Sequence, residues 1–422
     1  MKYTKSSKAN RKIERDVILI CEKIRKRIPN VLSIMMTGGF ARGEGSVKIE
    51  NGKIFPYNDY DIQVISSEKI EKDMVDKISI EISKELGYKG IVNFYPFKKE
   101  EQKMKENFYI DLKCDALSEL KKLLPRIRTY ELKNNSKILY GEDLRYLIPD
   151  YKLRDIPLSE GAKLLLDRMS QMIEYYSIEG RYDKEFLNYI IQQVYAACCT
   201  SLLLLSRKYQ VGYKKSMNIF KKTYKQDFPE LYKEFPNLDK KIEQFIEWKI
   251  NPAKLPNNDV KAEWFEAKEK ILGVARYFFS EFLNKKILNL QELSNAILNM
   301  RTKFYEPYVK SIIKKGIGAD IDGASFLFLP FVSFVLKYKY YKRLKKFNVN
   351  KLNIFLEKSP DLIIFASVVY ILASISKGGV NKEILMKGKN LLSRIYNPKG
   401  QDWENISLDY ANAYISFFLQ KI

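Results

Sequence analysis

The chain of 422 residues contains no histidine. Without an imidazole there is no Ser-His-Asp triad, no Cys-His pair and no histidine-ligated zinc. Only four cysteines occur, Cys21, Cys114, Cys198 and Cys199, and none has C-x-x-C spacing. That usage suits buried thiols in a reducing cytosol better than a disulfide framework, so a cytoplasmic location is expected. Any chemistry must then fall to carboxylates, lysine, tyrosine, hydroxyls or a metal held by oxygen.

Long apolar runs are also scarce. The stretches 324–336 and 362–376 each fall short of the ~20 residues a spanning helix needs, so both are expected to be core helices and no membrane span is expected. The basic start MKYTKSSKANRKIERD is not followed by an apolar region with a cleavage site, so no signal peptide is expected. No internal repeat or low-complexity linker is visible.

Positive charge is abundant. Lys and Arg total 74 against 51 Asp and Glu, a net charge of +23. Such a chain favours polyanionic partners, nucleotides or nucleic acid. An AT-rich genome gives the same lysine excess, so charge alone names no partner.

The first 150 residues mix periods. Ile13, Val17, Ile20, Cys21, Ile24 and Ile28 mark one face of a helix. Residues 31–36 (VLSIMM) form a short buried strand, followed by the glycine-rich turn Thr37-Gly38-Gly39-Phe40-Ala41-Arg42-Gly43-Glu44-Gly45. Residues 47–55 predict a hairpin, because Asn51-Gly52 suits a type I′ turn. Strands are predicted at 60–65, 91–95 and 108–114, and helices at 67–86, with Ser67 as cap, and 116–124. After about residue 125 strand signals stop. Helical periods take over at 158–176, 184–209, 238–248 and 260–283, and continue to the C-terminus. The fold class is therefore α+β: a small mixed-sheet domain over 1–150 and a large all-helical region over 151–422. Proline and glycine clusters mark dividing points near 252–258 and 316–323.

Three features of the first domain carry chemistry. The Gly38-Gly39 turn after a strand lets the backbone approach an anion closely. Asp59 and Asp61 lie two apart at the start of a strand and share a face with Gln63. Asp111 interrupts an otherwise apolar strand, where an unpaired charge is costly, and Lys113 shares its face. Carboxylates converging beside a phosphate-cradling turn make an oxygen-only site suited to Mg²⁺.

Two glycines after a strand, a downstream Asp-x-Asp and a third Asp on a later strand resemble the DNA polymerase β-like nucleotidyltransferase superfamily. The run Ala41-Arg42-Gly43-Glu44 is most similar to its minimal and antibiotic-modifying branches. The resemblance covers about 13–150. It implies that Asp59, Asp61 and Asp111 are catalytic and hold two Mg²⁺ ions, with Mn²⁺ as the alternative. It also implies that Gly38 and Gly39 bind the phosphates of a nucleoside triphosphate, and that a nucleoside monophosphate passes to the hydroxyl of a small molecule, a protein or an RNA end. The family often has Ser where Gly39 stands, and nineteen residues separate Gly39 from Asp59, the hairpin filling the interval.

Arg42 either grips phosphate or pairs with Glu44, and Lys113 is a second candidate for the nucleotide. Tyr140, Arg145 and Lys163 are positioned at the junction with the helical region to close over it. Residues 337–346 (KYKYYKRLKK) read as a nucleic-acid segment or as a helix with Tyr338, Tyr341 and Leu344 packed inward. Two further readings stay open: a second-messenger or oligonucleotide synthase of the same superfamily, and a degenerate transferase that binds nucleic acid or a partner.

Overall fold

The computed structural model describes residues 2–90, 96–99, 108–252, 259–317 and 349–419, with scattered positions between 330 and 344. It is α+β, with a small mixed sheet followed by a large helical region.

Helix α1 (Ser7–Arg27) is capped by Ser6, whose side chain accepts from the Ala9 amide. Its stripe of Ile13, Val17, Ile20 and Ile24 packs on the sheet. Strand β1 (Val31–Met36) leads into the five-residue helix α2 (Gly38–Arg42). Strands β2 (Val47–Glu50) and β3 (Lys53–Pro56) form the expected hairpin, with Asn51 at φ 48° and Gly52 at φ 75°. Strand β4 (Tyr60–Ser66) follows, then α3 (Lys72–Glu85), β5 (Ile110–Ala116), α4 (Ile127–Asn135) and β6 (Lys137–Gly141).

The sheet order is β5-β4-β1-β6. Strand β1 lies antiparallel to both β4 and β6, whereas β4 and β5 run parallel. Strand side chains alternate between faces. Ile62 and Val64 accordingly pack with α1 and α3. Ile65 sits in a second cluster with Leu132 of α4, and Asp61 and Gln63 share that second face.

Three expectations need adjustment. Helix α3 starts at Lys72 rather than at 67, and Glu71 takes the capping position. The Ser67 amide instead donates to the Asn30 carbonyl at 3.1 Å, which holds the chain extended against the α1–β1 corner. Residues 116–124 form a 3₁₀ turn, Leu117–Lys122, rather than an α-helix. Strands also continue past residue 125, because β6 pairs with β1 from Ser33↔Gly141 to Met36↔Lys137. The strand expected at 91–95 lies outside the described residues.

The helical region contains α5 (Leu158–Tyr175), α6 (Lys184–Leu205), α7 (Tyr213–Asp227), α8 (Pro229–Glu234), α9 (Leu238–Ile250), α10 (Val260–Leu283), α11 (Leu290–Asn299) and α12 (Arg301–Ile317). Helices α13 (Lys351–Leu356), α14 (Pro360–Ala373), α15 (Lys382–Leu392) and α16 (Trp403–Tyr414) follow. The break at Gly378-Gly379 is a two-residue hairpin pairing Ile375–Ser376 with Gly379–Val380. Buried apolar side chains from Ile156 to Phe417 form one continuous cluster, and the candidate dividing segments fall largely outside the described residues.

Apolar stretch 362–376 is buried as α14, as expected, while 324–336 lies outside the described residues apart from isolated positions. Among the described residues α6 alone is long and apolar enough to cross a bilayer, and 89% of its apolar window is buried inside the fold. All four cysteines are free.

The hairpin side of the sheet domain docks on α6 and α9. Lys48 Nζ sits 2.6 Å from Glu185, and the Tyr57 hydroxyl donates to the Glu185 carbonyl at 3.2 Å. The Ser46 hydroxyl donates to the Lys249 carbonyl. A cavity remains between the two parts.

Candidate functional site: an acid cluster between sheet and helices

Register brings the acids together. Parallel pairing of β4 and β5 sets Asp61 opposite Asp111. Asp59 enters the same side two residues before Asp61. One carboxylate oxygen from each of the three lies within 4.8 Å of the others. Oxygens on opposite sides of an octahedral Mg²⁺-sized ion lie about 4 Å apart, so a small closing movement lets one ion touch all three.

The glycine turn is built against this cluster. The Thr37 amide donates to the Asp61 carbonyl at 2.9 Å, which ties the end of β1 to β4. Gly38 has φ +68°, and a Cβ there would lie 1.9 Å from Asp61 Oδ2. Only glycine lets the backbone pass so close to that carboxylate. Gly43 at φ 75° then ends α2 in the left-handed region.

Burial and mutual repulsion push Asp59 and Asp61 toward their neutral forms. Burial and then Asp111 raise the Asp59 carboxyl above its usual range. Asp61 is raised well above, by burial, Asp59 and Asp111. Lys113 Nζ lies 2.9 Å from Asp111 Oδ2. The Arg128 guanidinium, its pKa lowered by burial, feels both Asp61 and Asp111 and donates to Gln63 Oε1 at 3.0 Å. Half-buried like charges supplied only by carboxylate oxygen form a hard donor set that a divalent cation relieves. These three residues could hold a metal ion.

The cavity beside the acids has a volume of about 530 Å³. Six of the seven residues singled out from the sequence line it: Gly38, Gly39, Arg42, Asp59, Asp61 and Lys113. Asp111 faces an adjoining groove along β5, which shares Lys113 and Arg128 with the first cavity.

Arg42 is a structural latch here. Its Nε donates to Glu44 at 3.2 Å and its Nη1 to Glu131 at 2.9 Å. Although burial opposes it, Glu131, Tyr213 and Glu44 hold the guanidinium firmly charged. Glu44 also accepts from the Tyr213 and Lys214 amides, at 3.0 and 3.1 Å, at the start of α7. Of the two roles weighed for Arg42, the pairing with Glu44 is present, and it joins the glycine turn to the helical region.

Tyr140, Arg145 and Lys163 do not reach the cavity. Each is taken by a nearer partner: Arg25 stacks over the Tyr140 ring at 4.1 Å, Arg145 binds Asp143 at 2.5 Å, and Lys163 binds Asp167 at 2.5 Å. Within 337–346 only some positions are described. There Tyr341 packs on Phe355 and Leu344 is buried, as expected of a helix packed inward. Tyr338, expected inward, is 45% exposed.

The far wall is made by residues that carry no sequence motif. Arg168, Gln171, Tyr189, Gln193 and Tyr213 line the cavity from α5, α6 and α7. Behind them Lys249 is 1% exposed, and its Nζ has no hydrogen-bond partner among the described residues. It rests 4.7 Å from the Tyr189 ring and 5.2 Å from the Tyr213 ring. Burial, helped by Arg168, lowers its pKa to about 7. A lone lysine between Trp248 and Ile250 gives no signal in the sequence.

No protein-family model matches the chain, and no curated protein matches it in sequence.

Proposed function

We propose that this protein is a Mg²⁺-dependent nucleotidyltransferase of the DNA polymerase β-like kind. It would transfer a nucleoside monophosphate from a nucleoside triphosphate to an acceptor hydroxyl and release pyrophosphate. The observation that carries this reading is the convergence of Asp59, Asp61 and Asp111, within 4.8 Å, beside a glycine turn that leaves no room for a side chain at Gly38.

Asp59, Asp61 and Asp111 are the residues that would hold Mg²⁺. When bound, the metal supplies positive charge against the transferred phosphoryl group and its leaving oxygen. The chain's own groups do the rest. The Gly38-Gly39 backbone forms one wall for the polyphosphate. Arg128, Arg168 and Lys113 surround the cavity with cationic charge, and Lys249 adds a buried ammonium whose protonation an incoming polyanion would favour. Tyr57, Tyr109, Tyr189 and Tyr213 offer ring faces and edges to the base and sugar. Asp111, which lines the β5 groove, would orient an acceptor hydroxyl entering there and take up its proton. The acceptor oxygen attacks the α-phosphorus, that phosphorus–oxygen bond forms as the bond to pyrophosphate breaks, and catalysis is mainly positioning plus charge stabilisation.

The test uses the full chain with each labelled nucleoside triphosphate and Mg²⁺ or Mn²⁺, with and without added hydroxyl compounds. Pyrophosphate release and label transfer are read together. The reading expects both in the parent and neither in Asp59→Asn. Absence of triphosphate binding at millimolar metal overturns it. Label in short oligonucleotides without an added acceptor would assign the synthase chemistry instead.

A further inference from the structure

A second concave surface lies away from the acid cluster, between α1 and the β2–β3 hairpin. It is a groove of about 890 Å³ lined by Lys8, Arg11, Lys12, Arg15 and Lys53, with Glu14 as its only acid among the described residues. The four cations from α1 stand at i, i+3, i+4 and i+7, so they form one stripe along the helix. Lys53 faces them from the hairpin.

The charges are placed against the helix's own interest. No acidic residue occupies the first turn of α1, the end where negative charge is favoured. Like charges three and four residues apart repel along the stripe. Of the five cations only Lys12 has a carboxylate partner among the described residues, Asp16. Glu14 is engaged with Tyr3. Lys8, Arg11, Arg15 and Lys53 are exposed.

The floor is aromatic. Phe55 and Tyr88 line the groove, both half-buried. The Tyr88 ring packs 4.4 Å from Phe108, and Phe108 lines the acid cavity. Cations that track a phosphate backbone above rings that receive bases suit a single strand of nucleic acid, whereas an acidic peptide would use the charges and leave the rings idle.

We propose that the α1–hairpin groove binds single-stranded nucleic acid, with Lys8, Arg11, Arg15 and Lys53 on its phosphates and Phe55 and Tyr88 against its bases. This goes beyond the transferase reading and stands on its own surface.

The experiment is fluorescence anisotropy of a labelled 20-nucleotide single-stranded RNA with the full chain, titrated at several salt concentrations. The variant Lys8→Glu/Arg11→Glu/Arg15→Glu/Lys53→Glu is compared with a second one, Lys337→Glu/Lys339→Glu/Lys342→Glu. The proposal expects affinity to fall at least tenfold in the first variant. It also expects the slope of log affinity against log salt to become shallower by about 3, since each lost phosphate contact on a single strand contributes about 0.7. The second variant should stay within threefold of the parent. Thermal unfolding of the first variant checks that it is folded, and acidic residues near the start of α1 favour that. Poly-glutamate should compete poorly. An unchanged affinity in the first variant, a loss confined to the second, or equal competition by poly-glutamate overturns the proposal. Because binding is read without turnover, failure of the transferase reading leaves this result unaffected.

Discussion

Gly38 and Gly39 are neighbours with opposite tolerances. A Cβ on Gly38 would collide with the Asp61 carboxylate at 1.9 Å, and its φ of +68° is already unfavourable for other residues. Gly38→Ala should therefore displace Asp61, cost roughly 1–3 kcal/mol of stability, and lower turnover at least a hundredfold in the label-transfer assay. Near-parent activity in that variant would sink the proposed role of the turn. A Cβ on Gly39 meets nothing nearer than the Glu44 carbonyl at 3.5 Å. Serine fits there, at a residue that lines the cavity. Gly39→Ser should tighten triphosphate binding by roughly fivefold, the worth of about 1 kcal/mol from one added hydrogen bond, as measured by calorimetry. Asp61 supplies a third case. It is half-buried beside two other acids that raise its pKa, so Asp61→Asn should abolish turnover yet raise the melting temperature of the metal-free protein. Added Mg²⁺ should stabilise the parent, by mass action, and leave that variant unmoved.

Among the elements, the latch around Glu44 makes the strongest mechanical claim. One carboxylate satisfies two amides at the start of α7 and pairs with the buried Arg42. Glu44→Ala leaves those amides open and removes one of the two partners of Arg42. A loss of about 2–4 kcal/mol is expected in urea denaturation, from the cap and the buried pair together. A change below 0.5 kcal/mol would show that the turn and α7 are held by something else. How much of this was legible in the sequence depends on the kind of element. Strands β1 and β4 were plain, because apolar runs ended by Gly-Gly or started by Asp-Tyr-Asp have few alternatives. Strand β6 was not, since Lys137–Gly141 is five residues at the sheet edge with only partial burial. The delayed start of α3 depends on a tertiary bond from Ser67 to Asn30, which local propensity cannot contain. The three acids could be named because strand alternation puts them on one face. Arg168, Lys249 and Tyr213 could not, because each is a single side chain on an ordinary helix whose role exists only once the helix is docked.

At the scale of the whole molecule, a net charge of +23 coexists with a helical core that buries titratable side chains, Glu174 and Lys249, with no hydrogen-bond partner among the described residues. Glu174 on α5 is fully buried, and neither carboxylate oxygen has a hydrogen-bond partner among the described residues. Asp167 and Arg168 on α5 and Tyr410 and Tyr414 on α16 are the polar groups that surround it electrostatically. Burial first and Asp167 second raise its pKa from 4.5 to about 8. The sign follows from proton counting. Between those two values the folded chain keeps a proton that the unfolded chain has released, so folding stability falls as pH rises. The slope from this one group approaches about 1.4 kcal/mol per pH unit and flattens above the folded value. Glu174→Gln carries no such proton and should remove that part of the slope, gaining stability relative to the parent as pH climbs from 5.5 to 8.5. Urea unfolding at pH 5.5, 7.0 and 8.5 on both proteins reads the difference. If the two curves run parallel across that range, the carboxyl is charged in the folded state and water or an ion reaches the core between α5 and α16. If they diverge, the central helices exclude water at Glu174, and the same helices carry Arg168 and Tyr189 to the rim of the acid cavity.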